Sequence, residues 1–189
     1  VTRPGSGFNV DTNQITLIQT KASQAGVVLP ANSGRPWRAT FNSNGTVLLQ
    51  RQQSNGSWQN YQTVTIATTN GAFYSPENIE VSGVVKGQVT LAAATGKDII
   101  ITNNLTYSYP ASPATVFQDS FNLQNPLFTD KMGLIAGRNI TIQPATWNTF
   151  GSDVYVMASL CAVGGSFSNY YYTSTPLKTL HMLGGISQQ

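Results

Sequence analysis

The chain has 189 residues, enough for one domain with a sizeable core, but only 9% of them are charged, far below the roughly one quarter that is usual. Asn, Gln, Ser and Thr take the place of charged side chains, a composition common on extracellular β-rich proteins and foreign to a typical cytosolic helical enzyme. The net charge of +3 comes from ten cations spread without a Lys/Arg run, so it marks no nucleic-acid footprint, and no apolar stretch approaches the length of a membrane span.

The opening Val1-Thr2-Arg3-Pro4 has neither an initiating Met nor the pattern of a signal peptide, as expected of a mature or excised fragment. Residues 1–36 are weakly patterned. Residues 15–18 and 27–29 read as short strands, and Pro30, Gly34 and Pro36 interrupt any regular structure up to residue 36. Asn44-Gly45 between the β-prone runs 37–41 and 46–50 predicts a hairpin, and Asn55-Gly56 before residues 58–61 predicts a second turn. Residues 37–67 thus read as an antiparallel meander. It is expected to cap the open end of the repeats that begin near residue 71, because an uncapped terminal repeat leaves strand edges free to pair.

From residue 71 the pattern changes. Runs 79–85, 89–93 and 99–105 are rich in Val, Ile and Thr and are separated by Lys86-Gly87 and Gly96-Lys97-Asp98, which predicts strand, turn, strand, turn, strand. The unit then returns. Leu91-Ala92-Ala93, Gly96-Lys97-Asp98 and Ile99-Ile100-Ile101 are matched by Leu134-Ile135-Ala136, Gly137-Arg138-Asn139 and Ile140-Thr141-Ile142. Looser copies lie at 156–165 and 180–186, with Gly164-Gly165 and Gly184-Gly185 at the tight corners. Such self-similarity predicts an all-β fold: a right-handed parallel β-helix (a β-solenoid) over residues 71–189, preceded by the β-meander/cap of residues 1–70. Ile99, Ile101, Leu134, Ile140, Ile142, Val156 and Ala158 are expected in one shared core. Two insertions interrupt the repeats, at 108–131 and 167–177. The first holds Pro110, Pro113 and Pro126 and is expected to pack Phe117, Phe121 and Phe128 on the flank of the solenoid.

The segments GAFYSPENIEVSGVVKGQVTLAAATGKDIIITNNLTY, MGLIAGRNITI, VMASLCAVGGSF and LHMLGGISQ, in that order, resemble an uncharacterised bacterial family of envelope β-helix domains, often found in proteins with a pilin-like (PilX-type) N-terminus. The resemblance covers about residues 71–189. It implies a right-handed parallel β-helix on a cell-surface, pilus-associated or secreted protein, with other pilus or envelope subunits as partners and no established activity. In that family the last segment is followed by more chain.

The chemistry-bearing residues are sparse. The seven carboxylates form no repeated pair: Asp98 precedes a strand, where Asx side chains cap backbone, and its counterpart in the next copy is Asn139. The clustered carboxylates that polysaccharide-active β-helix enzymes use are therefore missing from the pattern, and no hydrolase or lyase activity is expected. His181 is the only histidine and alternates within a strand; Cys161 is the only cysteine and sits in an apolar run. Both read as structural, and with no second His and no thiol pair neither a metal nor a cofactor is expected. The suggestive feature is an aromatic surplus beside arginines: Arg35, Trp37, Arg38, Arg51, Trp58, Tyr61, Tyr170, Tyr171 and Tyr172. Such side chains stack on sugars or bases and hold polyanions, although they also serve to pack a meander and loops onto a solenoid. The sequence therefore predicts a non-enzymatic structural or display module. An adhesive module for glycan or extracellular DNA is the alternative, with a polysaccharide-active enzyme a remote third.

Overall fold

The computed structural model describes residues 13–109, 129–143, 153–169 and 179–188. Of these, 57% lie in strands and 12% in helices, so the fold is mainly rather than wholly β. The chain begins with α1 (Asn13–Ala25) and β1 (Val27–Val28), then forms β2 (Trp37–Asn42), β3 (Thr46–Gln52) and β4 (Trp58–Thr65). β5 (Ala72–Ser75), β6 (Ile79–Val85), β7 (Gln88–Thr95) and β8 (Ile99–Tyr107) succeed one another without a long break. Then come β9 (Lys131–Gly137), β10 (Ile140–Ile142), β11 (Val154–Met157), β12 (Ser159–Ala162), β13 (Phe167–Asn169), β14 (Leu180–Leu183) and β15 (Ile186–Gln188).

Two sheets share these strands. One is wholly parallel, in the order β1-β5-β7-β9-β12-β15. The other is mixed, in the order β13-β10-β8-β6-β2-β3-β4, with β11 pairing both β8 and β14. From β5 to β10 the chain crosses from one sheet to the other at each step; β10 and β11, and later β13 and β14, follow one another within the mixed sheet before the chain crosses again, and each strand pairs with its counterpart in the preceding copy. The repeat read from the sequence is the register itself: Leu91 lies beside Leu134, and Ile99 and Ile101 beside Ile140 and Ile142. Inward columns result, Trp37–Ile79–Ile99–Ile140–Phe167 in one sheet and Phe73–Leu91–Leu134–Leu160–Ile186 in the other. All seven expected core residues fall in a single apolar cluster that also takes in Trp37, Phe41, Val47 and Leu49 of the meander.

The corners explain how successive copies hold register. Asn78 Oδ1 accepts the Asp98 N–H at 2.9 Å, Asp98 Oδ1 that of Asn139 at 3.0 Å, and Asn139 Oδ1 that of Ser166 at 3.1 Å. Each Asx side chain thus satisfies a backbone donor one level on, where the turn would otherwise leave it unpaired. The Asp98–Asn139 exchange is one step of this ladder. At the neighbouring corner a Cβ on Gly137 would collide with the Ala94 carbonyl, and one on Gly164 would lie 2.7 Å from the Gly137 oxygen, so the stacking of backbone on backbone requires glycine.

Three expectations need correction. Residues 15–18 are not a strand but part of α1. Ile15, Ile18 and Ala22 recur at helical spacing, and they seat the helix on the outer face of the parallel sheet against Ala72, Tyr74 and Ala92, whose small alanines admit it. β2 is not only the first strand of an antiparallel meander. It pairs parallel with β6, so it is itself the first member of the inward column, and β3 and β4 extend the mixed sheet from it. The insertion expected at 167–177 gives up Phe167–Asn169 to β13. The packing expected of Phe117, Phe121 and Phe128 lies outside the described residues. Among the described residues no helix is long and apolar enough to cross a membrane.

Candidate functional site

Neighbouring residues of a strand face opposite sides of its sheet, and this divides the arginine–aromatic group expected from the sequence. Trp37 faces the core, 1% exposed, with its indole N–H donated to the Pro30 carbonyl at 3.1 Å, so it offers no surface to a ligand. Arg51, its cross-strand neighbour, donates to Gln59 Oε1 at 3.0 and 2.9 Å, and Tyr61 meets the Trp37 ring edge-on at 5.0 Å. Arg38 points the other way. Its guanidinium lies 3.9 Å over the Trp58 ring and pairs with Glu80 at 2.6 Å, so its charge is neutralised within the sheet. Arg35 sits in the loop before β2, with Nε buried and without a hydrogen-bond partner. Tyr170, Tyr171 and Tyr172 lie outside the described residues. Cys161 packs against the α1 cluster, and burial pushes its thiol up, away from the thiolate that reactivity needs.

What the structure does bring together is the set of places where the chain leaves the stack. In the mixed sheet a single residue separates the two inward positions of β2 (Thr40) and of β6 (Ser82). In β8 three residues, Thr102, Asn103 and Asn104, separate Ile101 from Leu105. One level on, 13 residues (143–155) separate Ile142 from Val156, and on the next 12 (170–181) separate Asn169 from Met182. Insertions therefore grow at one column of the sheet while the core on either side keeps its register.

The feet of the two longer excursions are tied to each other. Tyr155 and His181 are register partners whose rings stack 4.6 Å apart and 9° from parallel. Asp153 holds His181 Nε2 at 2.9 Å through one oxygen and accepts the Thr179 N–H at 3.2 Å through the other. Asn104 Oδ1 accepts the Tyr155 N–H at 3.0 Å, joining the group to β8. The only histidine is thus structural in placement, stacked and oriented as a clasp.

A groove of about 650 Å³ is lined in part by Ser108 and Tyr109, after β8, and by Thr129 and Asp130, before β9. Asp130, 5% exposed, fixes its floor: Oδ1 accepts the Gly87 N–H at 2.7 Å, and Oδ2 accepts Ser108 N–H at 3.1 Å and Ser108 Oγ–H at 2.6 Å. That one carboxylate joins the β6–β7 turn to both roots of the excursion between β8 and β9. Asn70 adds a second fixed point, donating to the Lys21 carbonyl at 2.7 Å and accepting the Ala72 N–H at 3.1 Å. A smaller groove of about 240 Å³ between α1 and the parallel sheet adjoins the first at Asn70, Gly71 and Gln88, which line both.

No protein-family model, no curated protein and no solved structure matches the chain.

Neither the clasp nor the groove is visible in the sequence. Asp153 and His181 lie far apart in the chain, and only the β11–β14 register makes them neighbours. The groove is built from turn residues of distant segments, which carry no periodic signal.

Proposed function

We propose that the chain is a non-enzymatic right-handed β-solenoid, a display module of a bacterial cell-surface, pilus-associated protein. The stacked core is a rigid spacer, and the inserted segments are what it presents to other pilus or envelope subunits. The growth of insertions at one column, from one residue to 13, carries this reading, since elaboration at a fixed place on an unchanged scaffold is how repeat proteins position binding segments. Right-handed winding is supported by the parallel pairing of successive strands, because about 98% of parallel crossovers take that hand. The envelope setting rests on the four-segment resemblance and on the neutral polar composition.

The test is to replace residues 144–152 and 171–177 by Gly-Ser linkers of equal length and to measure both melting and surface function. The scaffold is expected to melt within a few degrees of the parent, while assembly with the pilus or envelope fraction of the producing cell is lost. Unchanged assembly would remove the display role. Release of reducing ends or unsaturated products from pectin-like or glucan substrates by the intact chain would overturn the non-enzymatic reading.

A further inference from the structure

We propose that the groove at the root of the β8–β9 excursion binds a linear, uncharged oligosaccharide. This does not depend on the display reading. The cavity of about 650 Å³ lies within the ~300–1,000 Å³ usual for small-ligand sites, and the second groove of about 240 Å³ adjoins it at Asn70, Gly71 and Gln88. Its floor is fixed: Asp130, Asn70 and Ser108 spend their polar atoms on backbone and on one another, so the shape is set before a ligand arrives. Its rim is different. Thr65, Gln88 and Thr129 line it with side chains that make no hydrogen bond among the described residues, leaving hydroxyl and amide groups that both donate and accept. Sugar hydroxyls also do both. The exposed Ala67 and the half-buried Tyr109 supply apolar surface for the C–H face of a pyranose ring.

Charge decides against other ligands. Lys86 is the only cation lining the main groove, and the one anion, Asp130, is buried with both oxygens engaged. A polyanion such as DNA would meet Lys86 there and only Lys21 in the adjoining groove, too little for strong counterion-release binding. An extended peptide would want a free strand edge with side-chain pockets at alternate positions, whereas this groove is bounded by turns.

The experiment titrates the full chain with the β-1,4-linked tetramers of glucose and of N-acetylglucosamine, by calorimetry and by amide shift mapping. At least one tetramer is expected to bind, with shifts at Gln88 and Thr129 and an affinity unchanged between low and high salt. Gln88→Ala combined with Thr129→Val, both exposed and outside the core, should weaken it about tenfold or more with no change in melting. Lys86→Ala should leave it within about twofold. Four outcomes would overturn the proposal. Neither tetramer binds, or binding is indifferent to the double substitution. Only a heparin tetramer or a DNA oligonucleotide binds, with a steep salt slope lost in Lys86→Ala, or only an uncharged octapeptide binds.

Discussion

The middle of the stack and the last described level are written in the same pattern yet live in different surroundings. Ile99, Ile101, Ile140 and Leu134 have a strand on each side and are fully buried, while Ile186 continues the Leu91–Leu134–Leu160 column and is 48% exposed. β14, with Leu180, Met182 and Leu183, is only half-buried along its whole length. At the other end the columns are covered, because β3 and β4 extend the mixed sheet beyond β2 and β1 pairs with β5 at the edge of the parallel one. A repeat of this kind does not own its core. Each level borrows half of its burial from the next, so the worth of an isoleucine depends on its place in the stack more than on its side chain.

The sharpest way to break that comparison is a large-to-small substitution at both ends of it. Ile101→Ala is expected to cost about 4 kcal/mol, as cavities in a packed core do, and to lower the melting temperature by roughly 10 °C. A loss under about 1 kcal/mol there would mean that the columns are not tightly packed. Gly137→Ala should cost about 1–3 kcal/mol, since the added methyl must displace the Ala94 backbone. Melting scans of that variant would show no change if the corner had room to give.

Acid offers a third, smaller handle, and it acts on the well-covered part of the stack. At Asp98 the hydrogen bond from Arg138 leads, burial opposes it, and the Asn139 N–H adds to it, so the carboxyl sits below its ordinary value. At Glu77 burial acts to raise the value, but hydrogen bonds from Lys97, Gly34 and Asn32 and the Lys97 charge outweigh it, and the net direction is again down. Folding therefore favours the charged forms. Their contribution is whole above the ordinary carboxylate range near pH 4 and is lost as the pH falls through the lower folded values. Melting temperature should fall between about pH 5 and pH 3, and Asp98→Asn together with Glu77→Gln should flatten that fall. An identical pH profile for parent and double variant would show that other groups carry the acid response.

The smallest effect is expected at the last described level. Ile186→Ala should cost less than about 1 kcal/mol, because nearly half of the side chain is already in water. If it cost as much as Ile101→Ala, the last level would have a cover in solution, and the contrast between the two regions would disappear.

The strands were legible because their signals are local. Val, Ile and Thr runs ended by Gly turns marked β6, β7 and β8, and the recurrence of Leu-x-Ala and Ile-x-Ile gave the pairing partners within those runs, while at the corner the register shifts and Gly137 pairs with Thr95. α1 was not legible as a helix. Ile15-Thr16-Leu17-Ile18 has the β-branched content of a strand, and what decides its state is the strip of Ala72 and Ala92 more than 50 residues away that accepts a helix against it. The division of Trp37 from Arg38 lay in the sequence, since adjacent strand residues cannot share a face. The Asp153–His181–Tyr155 clasp did not, because it rests on two excursions of unlike length returning to the same column.

The stacking of levels by Asx side chains and parallel ladders also sets how the molecule would behave under tension. Pulled between residue 188 and β1, the two edges of the parallel sheet, it would be loaded along the direction in which its levels separate, and the half-buried level would come away first. Ile79, Ile99, Ile140 and Phe167 mark successive levels of one column. Peeling from residue 188 would release 21 residues up to Phe167, then 27, 41 and 20, the intervals between those positions. At about 3.4 Å per residue these are lengths of roughly 70, 90, 140 and 70 Å. A force–extension trace would thus show steps of unequal size in a fixed order, and the order would reveal from which end the thread was drawn.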